Sequence, residues 1–411
     1  MELSGTPFSG WIVVAIAASI ALILSYAASR IVSRSKLLPD KPNHRSSHAR
    51  ITPRAGGVAI MGGWTAAILL ITGFSKDVAD KNLLLVLAAF GIVIALFGFL
   101  DDRFALSSRI KLGFQASAAI CFVVLFGGFE TLPLPFVGLV TLGFLGGLVS
   151  LLWIIGFMNA FNFMDGADGL AGASAVIVLS AFSVAAAGLG APTLAIAAMV
   201  LVFAIGGFLR VNFPYGKLFM GDSGSQSIGF LIAGFAILGA RVEGATLNAL
   251  FVATAMSPFL FDALFTVAHR LARGQNVLNA HREHLYQLLM RHGYSHVRVT
   301  SIYTMLTAVS TAIAIFMMHA PPAVQWTGPL LVAILMTGPA VSIFIQSRRA
   351  GFFETEDDNL RSIAQMVREL RARRKERAVK GPPKFDEEDL IGDLELLEES
   401  PAVIVPARQS A

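Results

Sequence analysis

Residues 82–102 read NLLLVLAAFGIVIALFGFLDD, an apolar run beginning at Asn82 and closing on two adjacent carboxylates, Asp101 and Asp102. A helix over 82–100 rises roughly 28 Å at 1.5 Å per residue, close to the thickness of a bilayer's hydrocarbon core. Comparable runs lie near 10–29, 56–74, 111–127, 136–157, 171–189, 192–209, 226–240, 246–268, 299–318 and 324–346. The eighth is short, and it is expected to be tilted, re-entrant or misplaced. Composition agrees, with 55% hydrophobic residues, 14% charged residues and a mean hydropathy of +0.68 over 411 residues. The expected fold is an all-α polytopic membrane protein of about 11 transmembrane helices, formed by residues 1–350 and followed by a charged tail over 351–411.

Eleven spans put the termini on opposite sides. The loops on the C-terminal side hold 29 of the 32 Lys and Arg residues, and only Lys76, Lys81 and Arg241 fall on the other. The positive-inside rule then predicts an external N-terminus and a cytoplasmic C-terminus. This bias accounts for the net charge of +5, so nucleic acid is not an expected partner. No Lys or Arg precedes Trp11, whereas Arg30, Arg34 and Lys36 follow the first run, which reads as a retained helix. The lone Cys121 excludes an intramolecular disulfide and a Cys-based zinc cluster. Residues 357–378 are Arg-rich and Asp386 to Glu399 is acidic, the pattern of a solvated, partly disordered cytoplasmic tail.

The polar signatures all fall in loops on the predicted cytoplasmic side. Lys41 to His48, followed by Thr52-Pro53-Arg54-Ala55-Gly56-Gly57, offers cations and a helix N-terminus to a phosphate. Topological anchoring and close helix packing at the Gly pair are the alternative. Asp101 and Asp102 repel each other at a helix C-terminus and call for a cation, either a metal or a nearby basic side chain such as Arg103 or Arg109. Ser108, Lys111 and Gln115 form a polar stripe entering the next span, where a lysine should face a cavity or a partner.

Asn159, Asn162, Asp165 and Asp168 recur every three residues, with Gly166 and Gly169 loosening any helix there. The spacing fails the calcium EF-hand, and oxygen donors without sulfur suit Mg²⁺, with Mn²⁺ as the alternative. Gly221-Asp222-Ser223-Gly224 reads either as an N-cap or, beside two other acidic loops on one face, as a metal site with Asp222 as ligand. His281, Arg282 and His284 suit a diphosphate, a basic interfacial helix being the alternative.

These blocks, in this order over roughly residues 40 to 300, closely resemble the polyprenyl-phosphate N-acetylhexosamine-1-phosphate transferases of glycosyltransferase family 4. The resemblance implies transfer of a sugar 1-phosphate from a UDP-N-acetylhexosamine to undecaprenyl phosphate, releasing UMP, at a cytoplasmic-face active site of the bacterial inner membrane. It implies that Asp222 binds Mg²⁺, that Asp101 or Asp102 handles the lipid phosphate, and that Lys111 is the active-site lysine. Asn162, Asp165 and Asp168, with Asn159, are expected at the nucleotide or diphosphate. His48 and Arg54, and His281, Arg282 and His284, match substrate-binding loops. His284-Leu285-Tyr286-Gln287 departs from the histidine-rich form of the peptidoglycan branch and looks more like the O-antigen branch that accepts deoxy-N-acetylhexosamines. Expected partners are the two substrates, the lipid bilayer and, in a self-assembled form, a second copy as a homodimer. A transporter or flippase for an anionic lipid or nucleotide is the competing reading, and a non-catalytic scaffold a third. A transporter would place its polar groups near the midplane rather than at one face.

Overall fold

The computed structural model describes residues 8–35, 37–40, 51–75, 78, 80–242, 247, 249–275 and 282–353. His48, His281 and the tail beyond residue 353 lie outside the described residues. The chain divides into a compact unit, Met1–Arg349, and a second unit, Ala350–Ala411.

The first unit is helical, as the apolar runs require: a span in hydrocarbon must satisfy its backbone groups internally. In chain order the helices are α1 (Phe8–Arg34), α2 (Gly56–Phe74), α3 (Lys81–Phe104), α4 (Ser108–Phe126), α5 (Leu145–Phe163), α6 (Leu170–Gly188), α7 (Pro192–Asn212), α8 (Gly221–Ala240), α9 (Ala249–Ala255), α10 (Ser257–Ala272), α11 (Leu285–Arg291), α12 (His296–Met317) and α13 (Thr327–Arg349). Among the described residues ten helices are long and apolar enough to cross a membrane, or eleven if α9 and α10 form one span. Polar caps set several starts: Asp80 Oδ1 accepts from Leu83 N at 2.8 Å, and the Ser107 and Ser295 hydroxyls accept from Ile110 N and Arg298 N.

Three expected spans need correction. The run at 136–157 contains a hairpin, with β3 (Thr131–Leu134) antiparallel to β4 (Gly138–Thr141), and α5 starts only at Leu145. Pro133 and Pro135 and the positive φ of Phe136, Gly138 and Gly143 forbid a helix that hydropathy alone would draw. The run at 246–268 breaks between α9 and α10, which meet at a bend of 78° with Pro258 in the first turn of α10. The eighth run is a full helix whose expected start is misplaced, because Gly221 to Ser225 belong to it rather than to the preceding loop.

That helix is the centre of the bundle, with 89% of its most apolar stretch buried. It packs against α2, α3 and α5. Glycines permit the approach: a Cβ on Gly57 would lie 1.9 Å from Gly224 N, and one on Gly98 would lie 2.5 Å from the Asp222 carbonyl carbon. Backbone bonds then lock the chain entering α2 to the chain entering α8. Phe219 N donates to Pro53 O, Gly56 N to Phe219 O and Gly57 N to Met220 O, at 2.8–2.9 Å. A short pairing of β1 (Pro39–Asp40) with β2 (Thr52–Pro53) brings Asp40 alongside.

Candidate active site

The ends of α3, α5 and α7 and the starts of α4, α8 and α12 meet at one end of the bundle, so the polar signatures converge although they are far apart in sequence. Lys111 Nζ lies 2.5 Å from Asp101 Oδ2 and 3.3 Å from Asp222 Oδ2, bridging two carboxylates carried by different helices. Parallel stacking of Phe97 on Phe114 fastens α3 to α4 and so helps bring the lysine to Asp101. The cation demanded by the aspartate pair is therefore met at Asp101 by Lys111.

The paired aspartates do different things. Asp101 is 3% exposed and also closes the helix end, its Oδ1 accepting from Leu106 N at 3.0 Å. Asp102 faces a cavity and approaches the start of α8, where Ser223 N donates to its Oδ2 at 3.4 Å. Gly221 is needed beside it, having φ +71 and room for no Cβ, since one would lie 2.5 Å from the Asp102 carboxylate.

Asp222 is no N-cap. It sits inside the first turn of α8, and its carboxylate is gripped from outside that helix by Lys111 and by Asn162, whose Nδ2 donates to Oδ1 at 2.9 Å. Asn162 also reaches Ser225 Oγ at 2.8 Å. Behind Asp222 a polar chain runs into the bundle, with Gln226 Nε2 near Asp222, Gln115 near Gln226 and Asn159 Nδ2 donating to Gln115 Oε1 at 2.8 Å. Asn159 is thus a supporting residue within the helices and does not line the cavity.

The cavity encloses about 290 Å³. Its lining includes Asp102, Asn162, Asp165, Asp168 and Asp222 together with Arg54, Arg282, Gln287, Met290 and His296. Burial, then the charges of Asp222 and Asp102, push the Asp165 carboxyl well above the usual range, with Arg54 partly offsetting them. Such crowding marks a site that favours a cation. Asp168 is fixed by His296, with Nδ1 3.3 Å from Oδ2, and by Thr300, which donates to its carbonyl at 2.7 Å. Gly216, at φ +52, yields space to the same carboxylate.

Arg54 pairs with Asp40 at 2.7 Å and reaches the cavity. The Gly56 and Gly57 N–H groups do not form the expected phosphate cradle, because the Phe219 and Met220 carbonyls take them. Arg282 lines the cavity as a partly desolvated cation, its value lowered by burial. His284 departs from expectation: it is 3% exposed, does not line the cavity, and places Nδ1 3.2 Å from Asp262 Oδ1.

Sequence reading missed Asp40, Asn212, Gln287, Met290 and His296 as cavity residues and Asp262 behind them. Asp262 had a legible signal, a lone carboxylate in an apolar run. His296 was signalled only by its place in the first turn of a span on the same face.

No three His, Cys, Asp or Glu side chains converge as a ready metal site among the described residues. The donor set still fits Mg²⁺, which commonly takes one or two carboxylates and completes its shell with water and substrate phosphates. Asp222 with Asp102 or Asp165 would supply them.

Known proteins resemble this chain in sequence over the helices that carry the site. The family model described as Glycosyl transferase family 4 matches residues 84–240. The probable undecaprenyl-phosphate N-acetylglucosaminyl 1-phosphate transferase of Bacillus subtilis is 30% identical over 258 residues, which are 62% of this chain and 71% of that protein. The decaprenyl-phosphate N-acetylglucosaminephosphotransferase of Mycolicibacterium smegmatis is 32% identical over 328 residues, covering 72% of this chain and 80% of that protein. The undecaprenyl-phosphate alpha-N-acetylglucosaminyl 1-phosphate transferase of Escherichia coli K12 is 28% identical over 333 residues, covering 75% and 83%.

Proposed function

Since the chain belongs to the polyprenyl-phosphate N-acetylhexosamine-1-phosphate transferases of glycosyl transferase family 4, we propose that it moves an N-acetylhexosamine 1-phosphate from a UDP-sugar to undecaprenyl phosphate. An oxygen of the lipid phosphate attacks the sugar-bearing phosphorus, the bond to the bridging diphosphate oxygen breaks, and UMP leaves. The transporter and scaffold readings give way to this enzymatic one.

The observation that supports it is the Lys111 bridge between Asp101 and Asp222 beside a cavity with both carboxylate and guanidinium walls. Two anions must meet, so positioning and charge neutralisation do most of the chemistry. A phosphate monoester has its second pKa near 6 and is mostly dianionic at pH 7, so a base has little proton to remove. Asp102 is then better suited to placing charge than to abstracting a proton, while Lys111 fixes Asp222 and Arg282 meets the donor's phosphates. Bound Mg²⁺, with Asp222 as its main ligand, would supply charge neutralisation at the diphosphate.

The relatives' names weigh toward N-acetylglucosamine within the donor class, ahead of the deoxy sugars suggested by the last loop. The charge bias of the loops supports a cytoplasmic site in the bacterial inner membrane, with the N-terminus outside and the C-terminus inside. The product would begin an O-antigen or another envelope polysaccharide.

The test is UMP release by detergent-purified protein with Mg²⁺ and undecaprenyl phosphate, across the UDP derivatives of N-acetylglucosamine, N-acetylgalactosamine, N-acetylfucosamine and N-acetylquinovosamine. Release requiring both metal and lipid is expected. Silence across the panel from folded protein would overturn the reading.

A further inference from the structure

A fully buried carboxylate lies outside the catalytic cluster. Asp262, in α10 just past the 78° break from α9, is 0% exposed. Five donors from three elements converge on it. Oδ1 lies within 3.2 Å of His284 Nδ1 and 2.9 Å of Leu285 N, with the Thr266 hydroxyl at 3.3 Å. Oδ2 accepts from Tyr286 N at 3.2 Å and from the Tyr303 hydroxyl at 2.6 Å.

Leu285 and Tyr286 are the first two residues of α11, whose N–H groups have no partner within that helix. Gln287 Oε1 accepts from the His284 N–H at 3.3 Å as part of a local capping box, and the Leu285 and Tyr286 N–H groups that follow are taken by a side chain from another helix. Burying a carboxylate is costly unless its oxygens are filled, and here they are. The gain is geometric: α11 carries Gln287 and Met290 to the cavity, and Arg282 enters it just before the Asp262 contacts begin.

Tyr286 extends the connection. Its backbone is held by Asp262, while its hydroxyl donates to Phe163 O at 2.9 Å, at the end of the helix that carries Asn162. A Cβ on Gly166 would lie 2.1 Å from the same hydroxyl, so the aspartate-bearing turn rests against this ring. Arg270 steadies the segment independently through Glu283 at 2.9 Å.

We propose that Asp262 is the positioning residue for donor binding: it holds the Arg282–Gln287 segment against the aspartate turn through His284, Leu285 and Tyr286, and Tyr303 fixes its own carboxylate. The inference rests on the reading that the cavity takes the UDP-sugar. Asp262 touches no substrate and acts through Arg282 and Gln287. A purely stabilising residue would lower the melting temperature without distinguishing donor from acceptor.

The experiment measures KM for the UDP-sugar and for undecaprenyl phosphate, with melting temperature, in full-length wild type, Asp262→Asn, Arg282→Ala, the double variant and Tyr303→Phe. Asp262→Asn should raise the donor KM about tenfold and leave the acceptor KM within about twofold, and the double variant should bind donor little worse than Arg282→Ala alone, as expected for coupled neighbours. Additive losses, equal losses on both substrates, or a lower melting temperature with unchanged donor KM would overturn the proposal. Should Asp262→Asn fail to fold, Tyr303→Phe removes one donor of the five and should raise the donor KM about threefold; an unchanged value there is equally decisive. A silent wild type would remove the donor reading and this inference together, a result distinct from an active enzyme whose variants are indifferent.

Discussion

The two walls of the cavity are built by different physics. The wall around Asp102 and Asp222 depends on close backbone approach, with Gly57 and Gly98 admitting the first turn of α8 and Lys111 neutralising the carboxylates that this brings together. The wall around Arg282 and Gln287 depends on hydrogen bonds, gathered by Asp262 from behind. The first tolerates almost no added atom. The second should tolerate changes of shape better than the loss of an acceptor.

The largest expected effect tests the first wall. Asp222→Asn should reduce kcat by about a thousandfold or more, beyond the cost of one stabilising donor, and added UDP-sugar should not restore it. Substantial residual kcat would separate Asp222 from the metal site. Chelation by EDTA should silence the wild type comparably, with recovery on adding Mg²⁺; full activity without metal would remove the cofactor from the reaction.

Lys111→Met should come next, lowering kcat about a hundredfold, because it leaves Asp101 and Asp222 facing each other without their counter-ion. Wild-type kcat would mean that the bridge is incidental to turnover. Gly57→Ala sharpens the packing side of the comparison. It should cost about 1–3 kcal/mol through overpacking against Gly224. Gly62→Ala, on the same helix with nothing within 4 Å of its added Cβ, should leave the melting temperature nearly unchanged. Equal shifts for the two would contradict the glycine account.

The smallest effect is electrostatic. Asp165 has its pKa raised by burial and by neighbouring carboxylates, so its contribution to stability is fully present below the unfolded value near 3.9 and is lost as pH rises through the folded value. In EDTA, Asp165→Asn should therefore gain melting temperature relative to wild type as pH climbs from the unfolded value toward the raised folded one, and the gain should level off above it. A difference independent of pH would show that Asp165 is not crowded by charge.

Much of the molecule could be read directly. The apolar runs gave the spans, except where Pro133, Pro135 and Phe136 turn the chain back as a hairpin and where α9 bends into α10. Hydropathy sums side-chain transfer energies and does not register such turns. Asp101, Asp102, Lys111, Asp165, Asp168 and Asp222 were legible because charge in an apolar chain needs a reason, and Asn162 because it shares the three-residue spacing of Asp165 and Asp168. Asn159 and His284 shared the motifs but turn inward, toward Gln115 and Asp262.

What the sequence by itself determined is the membrane-spanning helical class and the set of polar loops gathered on one side, since both follow from the cost of placing polar groups in hydrocarbon. The motif resemblance added the family. Only the tertiary structure decided that Asp102 faces the cavity while Asp101 pairs with Lys111, that the Gly56 and Gly57 amides serve Phe219 and Met220, and that Asp262 holds the last loop. Those outcomes depend on which side chains meet across helices, and spacing along one chain carries no such distance.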